Sequence, residues 1–175
     1  MPKSLLLHIC CSPCLCHPLQ ALADEGFSVA GLWYNPNVHP YTEYAARRES
    51  LAKYADAKGL KVDYLDEYPL EQIVSLLSKD RCLACYRLRL ERTALTARDK
   101  GYKVFSTTLL YSIYQKHELV RDAGQEAGRK NGVEFIYRDF RTGWQEGREE
   151  AKVLGLYRQT YCGCIFSERD RFLHK

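Results

Sequence analysis

A chain of 175 residues is long enough for one domain with a sizeable core, and no run of about 18 apolar residues occurs, so a membrane-spanning helix is excluded. Hydrophobic residues at 46% and charged residues at 27% are ordinary for a globular protein, and the net charge of +4 is compatible with an anionic partner such as nucleic acid without requiring one. The apolar run after Met1-Pro2-Lys3-Ser4 is too brief and too rich in cysteine for a secretory signal, so a cytoplasmic protein with no membrane partner is expected. In chain order, Lys3–Ile9 predicts a buried strand that runs into the stretch His8-Ile-Cys-Cys-Ser-Pro-Cys-Leu-Cys16. Pro18–Glu25 predicts a helix stopped at Gly26, and Phe27–Tyr34 a second strand ended by Asn35-Pro36-Asn37. Tyr41–Lys58 predicts a helix with Gly59 past its end, Val62–Asp66 a third strand and Leu70–Ser78 a short helix. A longer helix over Cys82–Lys100 closes at Gly101, followed by a strand at Lys103–Leu109 and a helix at Gln115–Arg129. A fifth strand at Val133–Tyr137, a helix at Gln145–Leu154 and a cysteine-bearing tail complete the chain.

Strands separated by helices of this length imply parallel crossovers. The expected fold is a single doubly wound α/β domain over residues 1–175, with a mostly parallel, roughly five-stranded sheet and a cysteine-bearing C-terminal tail. Sites in such folds form outside the carboxyl ends of the strands. The opening cysteine stretch lies there, as do Asn35–Pro40 and Ser106–Ser112.

The eight cysteines fall in three clusters: Cys10, Cys11, Cys14 and Cys16; Cys82 and Cys85; Cys162 and Cys164. In a reducing compartment such clustering points to metal binding or redox chemistry and away from structural bridges. Several arrangements meet the pattern. Cys11-Ser-Pro-Cys14 between a strand and a helix has thioredoxin-like form, because a helix N-terminus favours thiolate, but it leaves six thiols without a role. Cys11/Cys14 with Cys82/Cys85 would make a four-thiolate zinc site. An iron–sulfur cluster also takes four thiolates. Cys162-Gly-Cys164 would then remain as a strained, easily reduced pair or as ligands to a second metal. Cys16 reads as a buried packing thiol.

Taken together, these residues resemble the cobalamin-independent epoxyqueuosine reductases. The resemblance spans nearly the whole chain. It rests on His8-Ile-Cys-Cys-Ser-Pro-Cys14, on Tyr34-Asn-Pro-Asn-Val-His-Pro40 with Glu43, Tyr44 and Arg47, and on Arg81-Cys-Leu-Ala-Cys85 with Arg89. It continues through Phe105-Ser-Thr-Thr-Leu109 with Ser112 and Lys116, and Tyr161-Cys-Gly-Cys164 with Ser167. The resemblance implies a Rossmann-like, nucleotide-hydrolase-like fold and reduction of epoxyqueuosine to queuosine at the wobble position of tRNA, the last step of queuosine biosynthesis. It implies a [4Fe–4S] cluster on Cys10, Cys11, Cys82 and Cys85, with Cys162 and Cys164 as a redox pair or as ligands to an additional iron ion. Position 14 varies between cysteine and aspartate in that family, which makes Cys14 a candidate for the additional metal.

The implied reaction removes an epoxide oxygen with two electrons and two protons. Its partners would be tRNA carrying epoxyqueuosine in the anticodon loop and an electron donor that the sequence does not identify. An iron with an open position would bind the oxygen as a Lewis acid, and His8, His39 or Tyr161 would donate a proton. Tyr34, Asn35, Asn37, Arg47, Arg89, Thr107, Thr108 and Lys116 are candidate substrate contacts. Each also has an ordinary structural reading: a core histidine for His8, a turn for Asn35–Asn37, a strand end for Thr107–Thr108, a solvated side chain for Lys116. Arg47, Arg48, Arg87, Arg89 and Arg92 could meet tRNA phosphates, and Tyr34, Tyr44, Tyr111 and Tyr114 could stack an extruded base. A competing reading is a zinc- or cluster-stabilised nucleic-acid-binding module without catalysis, in which metal loss unfolds the chain and Cys162 and Cys164 are dispensable. An ATP-pyrophosphatase-like enzyme is disfavoured, since Cys10-Cys11-Ser-Pro-Cys14 holds no glycine where a phosphate loop would need one.

Overall fold

Strand β1 (Lys3–Ile9) has two exposed residues followed by five buried ones. A strand covered on both faces reads as a continuous apolar run and belongs at the centre of a parallel sheet. The computed structural model, which describes residues 3–77 and 80–173, places it there. With β2 (Phe27–Trp33), β3 (Val62–Tyr64), β4 (Val104–Thr107) and β5 (Glu134–Phe135), the order is β3-β2-β1-β4-β5, and every pairing is parallel. Leu7 of β1 lies opposite Gly31 of β2 on one side and Ser106 of β4 on the other.

The helices are α1 (Ser12–Asp24), α2 (Tyr41–Lys58), α3 (Leu70–Leu76), α4 (Arg81–Asp99), α5 (His117–Asn131), α6 (Trp144–Val153) and α7 (Ile165–Phe172). The chain winds outward from β1 through α1 and α2, then returns through α3 and α4 to β4 on the other side. Right-handed crossovers put α1 and α2 on one face of the sheet and α4 and α5 on the other. Helix α1 packs on α2 and α6, and α4 on α5. Leu5, Leu6, Leu7, Ile9, Leu32, Trp33 and Phe105 are wholly buried between these layers. Each such aliphatic or phenyl side chain contributes roughly 1.5–3 kcal/mol.

The strand order reverses between β1 and β4, and ligands in this class of fold bind in the crevice outside the carboxyl ends at that point. Cys10 and Cys11 leave β1 there, and Thr107 and Thr108 end β4 beside them.

Several elements differ from expectation. Helix α1 begins at Ser12 and not at Pro18. Pro13 occupies the first turn, where a missing N–H costs nothing, and Pro18 is carried inside the helix. Cys14 and Cys16 are therefore helical and not part of a loop. Strand β4 stops at Thr107, where the Thr107 side chain accepts from Leu109 N–H and turns the chain into a short 3-10 segment. Strands β3 and β5 are shorter than expected, and the tail forms the unforeseen α7. The predicted end of the third helix, Ser78, lies outside the described residues. No helix among them is long and apolar enough to cross a membrane.

Candidate metal and redox site

Three sulfurs converge at the switch point. The Sγ atoms of Cys10, Cys11 and Cys14 lie within 4.8 Å of one another, and all three residues are nearly or wholly inaccessible. Cys10 and Cys11 come from the end of β1, and Cys14 from the first turn of α1, which folds Cys14 back over them. The Cys10–Cys11 sulfur separation is 3.9 Å, close to the edge of roughly 3.8 Å expected for two thiolates about 2.3 Å from one tetrahedral ion. Thr108 clamps Cys10: its hydroxyl accepts from the Cys10 N–H at 3.0 Å and donates to the sulfur at 3.2 Å. Gln159, from the segment before α7, donates to the Cys11 sulfur at 3.0 Å. Hydrogen bonds from Cys11 and Cys14 hold the Cys10 thiol well below its ordinary range, outweighing burial. Burial and the neighbouring Cys10 push Cys11 up, and hydrogen bonding to Cys10 and Cys11 pushes Cys14 up. Only one of the three sulfurs readily carries charge until a cation arrives. Cys16 points away, donates to the Ser12 carbonyl at 3.6 Å, and is raised to about 11 by burial.

His8 stands under the triad. It is fully buried, its Nδ1 lies 2.9 Å from the Thr107 hydroxyl and its Nε2 3.1 Å from the Tyr34 carbonyl. The Nε2–H tautomer satisfies both contacts, since a carbonyl can only accept. Burial first, and the Arg89 charge second, lower its pKa to about 4, so His8 is a neutral strut between β1, β2 and β4. Both ring nitrogens are occupied, as is the Thr107 hydroxyl.

Arg89 of α4 is 3% exposed and faces the same crevice. Its guanidinium donates to the Cys85 sulfur at 3.1 Å, to the Cys85 carbonyl at 3.4 Å and to Asn35 Oδ1 at 3.4 Å. Asn35 in turn donates to the Ile9 carbonyl at 2.8 Å. Among the described residues no carboxylate pairs with Arg89; the ionisable groups that act on it are Cys85, Cys10, Tyr86 and Cys162. A buried cation needs a buried counter-charge. Among the described residues the groups that face it are three thiols and the Tyr86 phenol, so thiolates, or a metal held on them with net negative charge, fit this position. The donor set therefore suits a soft, thiolate-bound metal group.

The remaining thiols form a second group. Cys85 and Cys164 pack in a small core with Ile73 and Leu77. Burial raises Cys85 to about 11 and raises Cys164 as well. Cys82 is half-buried on α4 and Cys162 is exposed. The stretch carrying Cys162 and Cys164 is pinned by Arg47, which is 2% exposed. Arg47 donates to the Cys162 carbonyl at 3.1 Å, to the Tyr161 carbonyl at 2.9 Å and to Glu43 at 2.7 Å. Gly163 between the two thiols has φ +114°, and a Cβ there would come within 2.9 Å of Val38 and 3.0 Å of the Arg47 guanidinium. Only glycine fits both the backbone and the space.

His39 adjoins the Cys162–Cys164 stretch. Its N–H donates to the Gly163 carbonyl at 2.9 Å, its carbonyl accepts from the Tyr161 hydroxyl, and its ring meets Tyr68 edge-on at 5.5 Å. Both ring nitrogens of His39 and the Oδ1 of neighbouring Asn37 are buried without a hydrogen-bond partner among the described residues. Burial lowers the His39 pKa, so the ring is neutral, with one donor and one acceptor to spare. Tyr34 is buried under Arg92, whereas Lys116 is exposed at the start of α5. Arg47, Arg89, Asn35, Thr107 and Thr108 are thus committed to internal contacts. Gln159 carries no motif, and only the fold brings it to Cys11 from 148 residues away.

A parallel sheet with convergent thiols at its switch point defines a Rossmann-like thiolate protein built for soft-metal or redox chemistry. Residues 5–170 match the family model described as Epoxyqueuosine reductase QueH. The epoxyqueuosine reductase QueH of Dehalococcoides mccartyi is 36% identical over 175 residues, spanning 98% of this chain and 96% of the relative. That of Thermotoga maritima is 39% identical over 181 residues, spanning 96% and 92%. Among solved structures, the U34-tRNA thiolase NcsA of Methanococcus maripaludis, solved with its [4Fe–4S] cluster, shares the fold with a TM-score of 0.58 at 12% identity, over 91% of this chain and 59% of that one. The chain belongs to the epoxyqueuosine reductase QueH family, a family of oxidoreductases.

Proposed function

We propose that this chain reduces epoxyqueuosine to queuosine at the wobble position of tRNA. The observation that carries the proposal is the buried Cys10–Cys11–Cys14 triad at the switch point of a family member's sheet. In this reading Cys10, Cys11, Cys82 and Cys85 hold a [4Fe–4S] cluster, and Cys14, Cys162 and Cys164 serve an additional iron ion or, for the last two, a redox pair. Bound there, iron and sulfide supply single electrons and a Lewis-acidic site for an oxygen. The reaction breaks both carbon–oxygen bonds of the epoxide, forms a carbon–carbon double bond, takes up two electrons and two protons and releases water.

The chain's own residues carry the rest. Arg89 balances negative charge on sulfur, which lowers the cost of holding several thiolates in a dry site. Thr108 and Gln159 hold Cys10 and Cys11 in place. In this reading His39 passes the proton: its neutral ring gives the N–H proton to the departing oxygen while its bare nitrogen takes up another, and unlike those of His8 neither ring nitrogen has a partner among the described residues. Asn37 Oδ1 accepts a substrate hydroxyl. The test is purification without oxygen, followed by iron and acid-labile sulfide per chain and by nucleoside analysis of tRNA after reaction. About four sulfides with four or more irons, and conversion of epoxyqueuosine to queuosine, are expected. Zinc without sulfide, and unchanged tRNA, would overturn the proposal in favour of a metal-stabilised binding module.

A further inference from the structure

Of the four tyrosines that the sequence places near the site, three are closed to an external ring: Tyr34, Tyr44 and Tyr111 are at most 5% exposed. Tyr114, in the loop between the 3-10 segment and α5, is 79% exposed. That loop is not loose. The Tyr114 N–H donates to Ser112 Oγ at 3.2 Å. The Tyr86 hydroxyl donates to Gln115 Oε1 at 2.7 Å and accepts from the Lys116 N–H at 3.1 Å. Tyr86 adjoins Cys85 on α4, so the loop is tied to the second thiol group.

The Tyr114 ring is backed by Trp144, which it meets edge-on at 5.8 Å. Trp144 packs on Tyr111 at 5.0 Å and accepts the Tyr111 hydroxyl on its carbonyl at 2.9 Å. Tyr111 in turn lies 6.5 Å from the ring of His17, which follows Cys14 by one turn of α1. A side chain at position 147 would remove this packing, since a Cβ on Gly147 would fall 2.6 Å from the Tyr111 hydroxyl. One buried ring therefore links the exposed platform to the helix that carries Cys14.

The charges around the platform differ from those elsewhere. Arg48, Arg87 and Arg92, the half-buried or exposed arginines of α2 and α4 that the sequence offers for phosphate, are paired with Asp66, Glu126 and Glu67. Arg148 lies over the Trp144 ring at 5.7 Å, and neither it nor Lys116 forms an ion pair among the described residues. A rigid, exposed π-face beside unpaired cations is the composition that binds single-stranded nucleic acid: the face takes a base and the cations take phosphate. We infer that Tyr114, backed by Trp144 and flanked by Lys116 and Arg148, stacks an unpaired RNA base next to the reacting nucleotide. The inference rests on the tRNA reading given above.

Fluorescence anisotropy with an anticodon stem–loop RNA tests it, against a fully paired duplex of equal length. Tyr114→Ala should weaken stem–loop binding about tenfold, Tyr114→Phe less than about twofold, and neither should change duplex binding. A Lys116→Ala/Arg148→Ala variant should lower the salt slope by about 1.4, the value for two single-strand phosphates. Iron content and thermal midpoint report folding in each variant. Equal stem–loop affinity of wild type and Tyr114→Ala overturns the platform while leaving the tRNA reading intact. Unchanged RNA affinity with slowed cluster reduction by a protein electron donor also overturns it and assigns the face to that donor. Wild-type protein that binds no stem–loop yet reduces the free epoxyqueuosine nucleoside overturns the tRNA reading itself.

Discussion

The N-terminal and C-terminal thiols reach the same crevice by different means. Cys10, Cys11 and Cys14 sit on a fully buried strand end and the helix that follows it, so the sheet and core fix their positions. Cys162 and Cys164 sit on an irregular stretch whose place depends on one arginine, one glycine and the Tyr161–His39 contact. In the reading proposed above, the difference suits a permanent site on the first group and an adjustable one on the second. A metal held for the life of the protein needs sulfurs that do not move, while a group that changes redox or ligation state during turnover needs one that can. Cys162 is the exposed thiol of the second group, which suits that role.

The largest test of this contrast is metal content. Cys10→Ala should lose all bound iron and reduce activity to background, whereas Cys162→Ala should keep most of its iron and lose activity by on the order of 10–100-fold. Iron and sulfide analysis beside turnover measures both, and equal iron loss in the two variants would erase the distinction. Next in size is the pin. Arg47→Ala strands the nearly buried Glu43 and should destabilise the protein by about 3–5 kcal/mol, with faster proteolysis near residues 157–164 while the N-terminal half stays resistant.

His8 supplies a pH test of the N-terminal region. Its pKa falls from 6.5 unfolded to about 4 folded, so the unfolded chain binds the proton first as pH drops. Its contribution is complete above pH 6.5, declines by about 3 kcal/mol between 6.5 and 4, and levels off below that. Urea midpoints across this range should show the decline in wild type and a shallower one in His8→Gln. The smallest effect is at Gly163. Gly163→Ala combines positive φ with contacts at 2.9 and 3.0 Å and should cost about 1–3 kcal/mol, read as a lowered thermal midpoint with iron content equal to that of the wild type.

The sheet was legible because β1 and β2 are uninterrupted apolar runs and α2 is bounded by Pro40 and Gly59. The start of α1 was hidden by having two prolines to choose from, only one of which can begin the helix. Helix α7 was hidden because none of its residues is buried, so no apolar stripe marks it. At the site, cysteine spacing marked the right clusters, but which thiols meet depends on β1 running into α1 with Cys14 in the first helical turn. The roles of Arg47 and Arg89 were not legible, since a buried arginine and a surface one look alike in sequence. Gln159 gave no signal at all, being one polar residue among many until the chain closes on itself.

That closure sets an order of events. The contacts that tie down the closing segment join positions 148 residues apart for Gln159 and Cys11, 122 for Tyr161 and His39, and 115 for Cys162 and Arg47. The strand–helix unit bearing Cys10, Cys11 and Cys14 is local, whereas long loops close late because their ends must first find each other. The segment that carries Gln159 is therefore expected to close over Cys11 after the strand–helix unit has formed. In the iron-bearing reading proposed above, iron delivered before that closure would meet an open site, and iron delivered after it would have to wait for the segment over Cys11 to lift.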